Sequence, residues 1–369
     1  MASQLEMRLH QQIHHETDEF GRAALKAELG CYWARTGDFE RSDSVRAELR
    51  QKFGTGRSLK VSVRLMLLEG LLMYYKDLNP GARDRILRAN LLSTSFHELE
   101  LTALTSAWLA HIDFNRCNFQ SMAAEIEKCL SLINNDSGNA ICRISLVLGD
   151  VFLHCNDREF SQFWYEKARL TATELGDQAA IGAITYNRAA LNVQNLRLKA
   201  VRGALIDEQV TRLHMELKTA INYQNLARLK SLDHLLDAAT VGLMVVLDEY
   251  EQAVTKATEL LDQNLVPHRS GEHIILLADL ARCYTALGDL HSAQEVRSEI
   301  GNIDTLALEA DDAAIVFTSL ADTAKRLGED ELALEHKDRA LAALLSHDSS
   351  MGKLNELLDR FRSRVKFVK

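Results

Sequence analysis

Proline is nearly missing from this sequence. Its 369 residues include only Pro80 and Pro267, where average usage of about 5% would give roughly eighteen. Such scarcity favours long uninterrupted helices, because proline removes a backbone donor and clashes with the preceding turn. Paired cysteines are also absent. Cys31, Cys117, Cys129, Cys142, Cys155 and Cys283 stand apart with no CxxC spacing, which argues against a disulfide framework and leaves them as small core residues. There is no excess of positive charge: 43 Lys+Arg face 52 Asp+Glu, a formal charge of -9, so nonspecific nucleic-acid binding is not expected. The longest apolar runs, such as 65–68 and 274–280, fall far short of the ~20 residues that a spanning helix needs. The start, MASQLEMRLHQQIHHETDEF, lacks the apolar core of a signal peptide. The expectation is a cytoplasmic protein without a membrane partner.

What is present is a helical period. Apolar residues recur three and four apart, as in Leu25, Leu29, Tyr32 and Trp33 or Leu277, Leu280, Ala281 and Tyr284, and strand-like alternation is nearly absent. With 47% hydrophobic and 26% charged residues, the chain can bury a core. The segments LGCYWARTGDFERS, LARCYTALGDLHSA and LADTAKRLGEDELA share one layout. A small residue (Gly30, Ala281, Ala321) lies seven before a turn glycine (Gly37, Gly288, Gly328), and another (Ser42, Ala293, Ala333) lies five after it. Two antiparallel helices joined by a tight turn approach closely only where one presents a small side chain to the other. Weaker copies place Asp77, Cys117, Asn156 and Asp248 at the turn. The turn positions 37, 77, 117, 156, 248, 288 and 328 are thus separated by 40, 40, 39, 92, 40 and 40 residues. A degenerate turn near Asn195 would divide the long interval, leaving an insertion of about 13 residues, read as a helix extension over 202–218.

A fixed period of this size predicts a solenoid, in which each hairpin buries its apolar face on its neighbours. Small residues spaced around a G-D-[YFL] turn resemble the tetratricopeptide repeat, here in a longer-helix form with units of about forty residues rather than 34. The resemblance covers roughly residues 25–345. It departs from the family pattern in lacking the proline that ends the second helix and in carrying Arg46, Arg297 and Lys337 where a large apolar residue is expected. The expected architecture is an all-α, right-handed α-solenoid of about eight antiparallel hairpins over 23–345. A leading helix or tail would occupy 1–22. A capping helix over 346–369 would present Leu354, Leu357, Leu358 and Phe361 on one stripe.

Signals for chemistry are weak. His10, His14 and His15 could share a helix face, but no third ligand follows at diagnostic spacing. His154 beside Cys155 near Asp150, and His111 near Cys117, are read as packing positions rather than thiol–base pairs. FGTGRS lacks the Lys-Ser/Thr end of a phosphate loop. Acidic pairs such as Asp311-Asp312 suit helix starts. Residues 41–90 carry eleven Lys/Arg against five Asp/Glu, read as a solvated face, with a docking surface for an acidic partner as the alternative. No cofactor or metal is expected.

The repeat resemblance implies that first helices line an inner surface on which a partner binds. It turns inward Arg64, Tyr74 and Tyr75 in the second unit, His111 and Phe114 in the third, and Arg143 and Asp150 in the fourth. In later units it turns inward Asn192, Arg282, Asp322, Lys325 and Arg326, with Asn187 close by as a residue able to clamp a peptide amide. The functional expectation is therefore a noncatalytic adaptor or regulator binding an extended peptide or a partner's helix, and not an enzyme. A homodimer through Trp33 and Phe39 of the first unit stays open. The alternatives are an RNA-binding solenoid, disfavoured by the acidic balance, and a phosphatase-like hydrolase using Asp150 or His111.

Overall fold

A computed structural model describes residues 3–54, 56, 58–77, 79–204, 209–231, 233–267, 270–301 and 308–362. Among these residues every regular element is an α-helix. Helix α1 (Gln4–His15) precedes α2 (Glu19–Thr36) and α3 (Phe39–Phe53), α4 (Leu59–Asp77) and α5 (Ala82–Ser95), α6 (Leu99–Asn115) and α7 (Phe119–Leu132), and α8 (Gly138–His154) and α9 (Arg158–Leu175). There follow α10 (Gln178–Val201) and α11 (Gln209–Ala227), α12 (Asp233–Val246) and α13 (Tyr250–Asp262), α14 (Gly271–Leu287) and α15 (Leu290–Gly301), and α16 (Ala310–Arg326) and α17 (Asp330–Arg362). The helices pack chiefly on their sequence neighbours, and successive first helices also meet, as α2 does α4 and α14 does α16. The chain is an all-α solenoid.

The forty-residue period marks a backbone conformation. Gly37, Cys117, Asn156, Asp248, Gly288 and Gly328 all have positive φ, between 54° and 86°. Each ends a first helix by turning left-handed, as a helix C-terminus commonly does. Asp38, Asp157 and Asp289, one residue later, accept hydrogen bonds from the backbone N–H groups of Arg41, Phe160 and Ser292 and so cap the second helices.

The small residues behave as their spacing predicts. A Cβ on Gly30 would stand 2.9 Å from Leu68, and one on Gly149 would stand 2.7 Å from the ring of Tyr165. Ser42 Oγ donates to the carbonyl of Gly30, and Ser161 Oγ to that of Gly149, both at 2.9 Å. Two hairpins far apart in sequence thus use the same hydrogen bond, while the small residue admits Leu68 of the next first helix in one and Tyr165 of its own second helix in the other.

The fifth hairpin corrects the sequence reading. Asn195 is not at a turn; it lies inside α10, which runs 24 residues. The left-handed residue is Gly203, 47 after Asn156 and 45 before Asp248, so the extra length is shared between α10 and α11. Of the expected extension over 202–218, positions 205–208 lie outside the described residues. The antiparallel pairing of α10 with α11 is seen in Tyr223 Oη donating to the Gln178 carbonyl and in Arg188 and Asn192 both donating to Glu216.

The chain divides into two compact units, Met1–Asn187 with Asn222–Leu232 and Arg188–Ile221 with Asp233–Lys369. In unit one, α1 is capped by Ser3 and covers the end of the first hairpin. Leu5 and Leu9 pack on Trp33, whose Nε1 donates to Glu6 at 3.0 Å while Arg41 lies 4.6 Å over the indole. Trp33 is therefore buried within its own chain and is not an open surface for pairing two copies, and Phe39 packs on the neighbouring core. In unit two, α17 runs unbroken through positions 345 and 346, so the expected cap is the second half of one 33-residue helix. Its stripe of Leu354, Leu357, Leu358 and Phe361 is buried. The departures at Arg46 and Arg297 are ion-paired: Arg46 with Asp43, and Arg297 with Glu329 at the next hairpin turn.

Candidate functional site

The inward-facing candidates of unit one meet between α4, α6, α8 and the start of α10. Tyr74, Tyr75, Trp108 and His111 form a closed circuit of edge-to-face rings, with centroids 5.1 to 6.2 Å apart. The Arg143 guanidinium sits 3.7 Å above the Trp108 ring, a cation–π contact within a buried setting. Tyr74 Oη accepts from Asn115 at 2.5 Å and lies 3.2 Å from His111 Nε2. Burial and the neighbouring Arg143 charge push the imidazole down to about 3, so it is neutral at ordinary pH. Its Nδ1 is a buried atom without a hydrogen-bond partner. Burial pushes the Tyr74 phenol up.

Asp150, 1% exposed, lies two turns along α8 from Arg143. Tyr165 Oη donates to one carboxylate oxygen and Asn187 Nδ2 to the other, each at 2.7 Å. Burial nevertheless raises this carboxyl to about 7, against the lowering effect of those two bonds and of Arg143. Asn187 thus holds Asp150 through its amide nitrogen.

Beside this network is a cavity of about 60 Å³. Its walls come from α1, the first helices α2, α4, α6 and α8, and the beginning of α10; α3, α5, α7 and α9 contribute nothing. Leu67, Leu71, Leu104, Leu146, Tyr32 and Trp108 supply apolar surface. Cys31 and Cys142 also line it, their thiols pushed up to about 12, principally by burial, which makes them neutral apolar lining rather than nucleophiles. The first hairpin reaches across to the later ones here. Arg35 Nη1 pairs with Asp177 at 2.8 Å, and Asn139 Nδ2 donates to Glu28 at 3.1 Å. Arg64 and Arg143 differ: both line the cavity, and among the described residues neither has a carboxylate partner.

Arg64, Tyr74, Tyr75, His111, Arg143, Asp150 and Asn187 thus belong to one region of unit one. Phe114 is buried beside them but packs on His154, with centroids 5.6 Å apart. Of the unit-two candidates, Asn192 holds Glu216, Arg282 and Asp322 face each other at 3.6 Å, and Lys325 and Arg326 are exposed on the last turn of α16. Sequence reasoning missed Trp108 and Tyr165. The glycine opposite Tyr165 was the available signal for a bulky residue entering there. It also missed Arg35 and Asp177, which are 142 residues apart and carry no local pattern. The basic segment 41–90 is largely neutralised within the chain, by pairs such as Arg83–Asp113, Arg50–Glu69 and Lys76–Asp43. The His10 ring lies 6.0 Å from that of Trp33, and His14 lies 5.3 Å from His15.

No known family model and no curated protein matches this chain in sequence. Among solved structures, it is similar to a Rap protein complexed with Competence and Sporulation Factor, with a TM-score of 0.54 and 13% identity. The match covers 91% of this chain and 99% of that one, and it agrees with a tetratricopeptide-like helical solenoid. No helix among the described residues is long and apolar enough to cross a membrane.

Proposed function

We propose that this protein is a noncatalytic adaptor or regulatory module that binds an extended peptide, or a segment of a partner protein, on the first-helix face of unit one. The observation carrying this reading is the cavity, whose walls combine apolar side chains with two arginines, Arg64 and Arg143, that have no carboxylate partner among the described residues, on the helices a solenoid uses for recognition. The fold likeness to a Rap protein solved with a bound factor supports a binding role. One feature favours a hydrolase instead: a carboxyl raised to about 7 at Asp150. Both its oxygens already accept hydrogen bonds and it is enclosed, which suits a structural acid better than a proton-transfer group.

The test is hydrogen exchange of the full chain with and without a mixed-sequence hexapeptide pool. Added protection in α4, α6 and α8 is expected. Protection confined to unit two, or none, overturns the reading. Hydrolysis of a phosphomonoester that Asp150→Asn abolishes would favour the enzyme.

A further inference from the structure

Arginine is ordinarily buried only with an anion, because stripping water from a cation is costly unless an opposite charge and hydrogen bonds replace it. Unit one follows this rule at Arg35, which meets Asp177 at 2.8 Å, and at Arg83, which grips Asp113 with two nitrogens. Arg143 breaks it. The residue is 4% exposed, its Nη1 is buried without a hydrogen-bond partner, and its plane rests on Trp108 rather than on a carboxylate. Arg64, on the neighbouring first helix α4, lines the same cavity and has no ion pair among the described residues. None of the acids at this cavity is in ion-pair contact with Arg64 or Arg143 among the described residues: Asp177 is taken by Arg35 and the backbone N–H of Ala180, Glu28 accepts from Asn139 through one oxygen, and Glu100 is exposed.

We infer that Arg64 and Arg143 form a recognition site for a peptide carboxylate, with the leucine-lined remainder of the cavity receiving the short apolar group beside it. This rests on the peptide-binding reading above and specifies what anchors the ligand. A guanidinium already oriented by an aromatic face offers its free edge to a carboxylate at little further loss of side-chain freedom. The cavity, about 60 Å³ and partly open, admits a carboxylate with the apolar carbons beside it. The end of a peptide and the tip of an acidic side chain both present that group.

The experiment uses the full chain and three hexapeptide pools: free C-terminus without Asp or Glu, the same pool C-terminally amidated, and an amidated pool carrying one Asp or Glu. Peptides retained after rapid gel filtration are quantified by mass spectrometry for wild type, Arg143→Gln, Arg64→Gln and Arg143→Lys. Wild type is expected to retain the free-acid pool at least tenfold over the amidated acid-free pool. Both glutamine variants are expected to lose that preference, and Arg143→Lys to keep only part of it. Retention of the acidic amidated pool in place of the free-acid pool also supports the site and assigns the carboxylate to a side chain. Equal retention of all pools, unaffected by either glutamine variant, overturns the carboxylate anchor while leaving peptide binding intact. Retention of no pool by wild type overturns both. Thermal unfolding separates recognition from support: removing an unpaired buried cation leaves the free protein's melting temperature unchanged or higher. A lowered melting temperature in both glutamine variants would mark the arginines as structural and overturn the site.

Discussion

Arg143 of unit one and Arg197 of unit two are both buried, and they are matched in opposite ways. In unit two, Arg197 meets Asp279 at 2.6 Å, and the two side chains are 8% and 1% exposed. In unit one, Arg143 is equally buried but has a tryptophan face where a carboxylate would stand. The same contrast extends to their neighbours. In unit two, Gln194 reaches Asp311 and Asp312, and Arg282 faces Asp322. In unit one, a cavity lies among the first helices, and two of its cations have no ion pair among the described residues. A closed ion pair fixes helices to one another, whereas an unmatched cation beside a cavity holds binding energy for something that arrives. The repeat is the same in both units, so the difference lies in a few residues on the first-helix face.

Arg197 carries the largest expected effect. Truncating one partner of a buried pair leaves the other charge uncompensated and typically costs about 3–5 kcal/mol. Arg197→Ala is expected to lose stability of that order, read by far-ultraviolet circular dichroism in urea. All three tryptophans, Trp33, Trp108 and Trp164, are in unit one, so their emission reports that unit alone. If emission and dichroism shift together, the units share one transition and the contrast does not extend to their stabilities.

Asp150 sharpens the comparison through pH. Its carboxyl is raised to about 7 in the folded chain, above roughly 3.9 in an unfolded one, so between those values the folded state holds a proton that the unfolded state has lost. Stability contributed by this group is full below about pH 4 and is lost as pH rises through about 7. Each unit of displacement corresponds to about 1.4 kcal/mol. Asp150→Asn is expected to flatten the decline in unfolding free energy between pH 5 and pH 8, with Tyr165, Asn187 and Arg143 unchanged. An equally steep decline would show that another group sets it.

Gly149 tests whether close helix approach supports the site. Adding a methyl there puts a carbon 2.7 Å from the Tyr165 ring. Gly149→Ala is expected to cost about 1–3 kcal/mol by overpacking and to displace the hydroxyl that holds Asp150. A crystal structure of the variant with Tyr165 in place would refute this.

How much of this was legible in the sequence follows from the range of the forces involved. The hairpins were, because close approach demands a small residue and a left-handed turn at fixed offsets, and six of the seven turn positions proved left-handed. Asn195 misled because a polar residue at the expected distance imitates a turn, whereas Gly203 sits off the period. Seven of the thirteen candidate residues cluster because first-helix positions in neighbouring hairpins face one side. The cavity was not legible. It depends on Arg35 reaching Asp177 and on Asn139 reaching Glu28, contacts across more than a hundred residues that no local spacing encodes. Nor could the sequence distinguish Arg64 from the ten other cations of 41–90, since only packing decides which of them find acids.

The smallest expected effect concerns Lys325 and Arg326. The inward register that placed them with the binding residues would make them recognition groups, yet both are exposed at the end of α16 rather than enclosed. Exposed cations on a helix's last turn contribute about 0.3–1 kcal/mol through the helix dipole, and less in salt. The double variant Lys325→Ala/Arg326→Ala is therefore expected to melt within a few degrees of wild type and to retain the same hexapeptides. A clear loss of peptide retention would place recognition on unit two and reverse the contrast, because an exposed, hydrated cation would then contribute more to binding than a desolvated one already held against tryptophan.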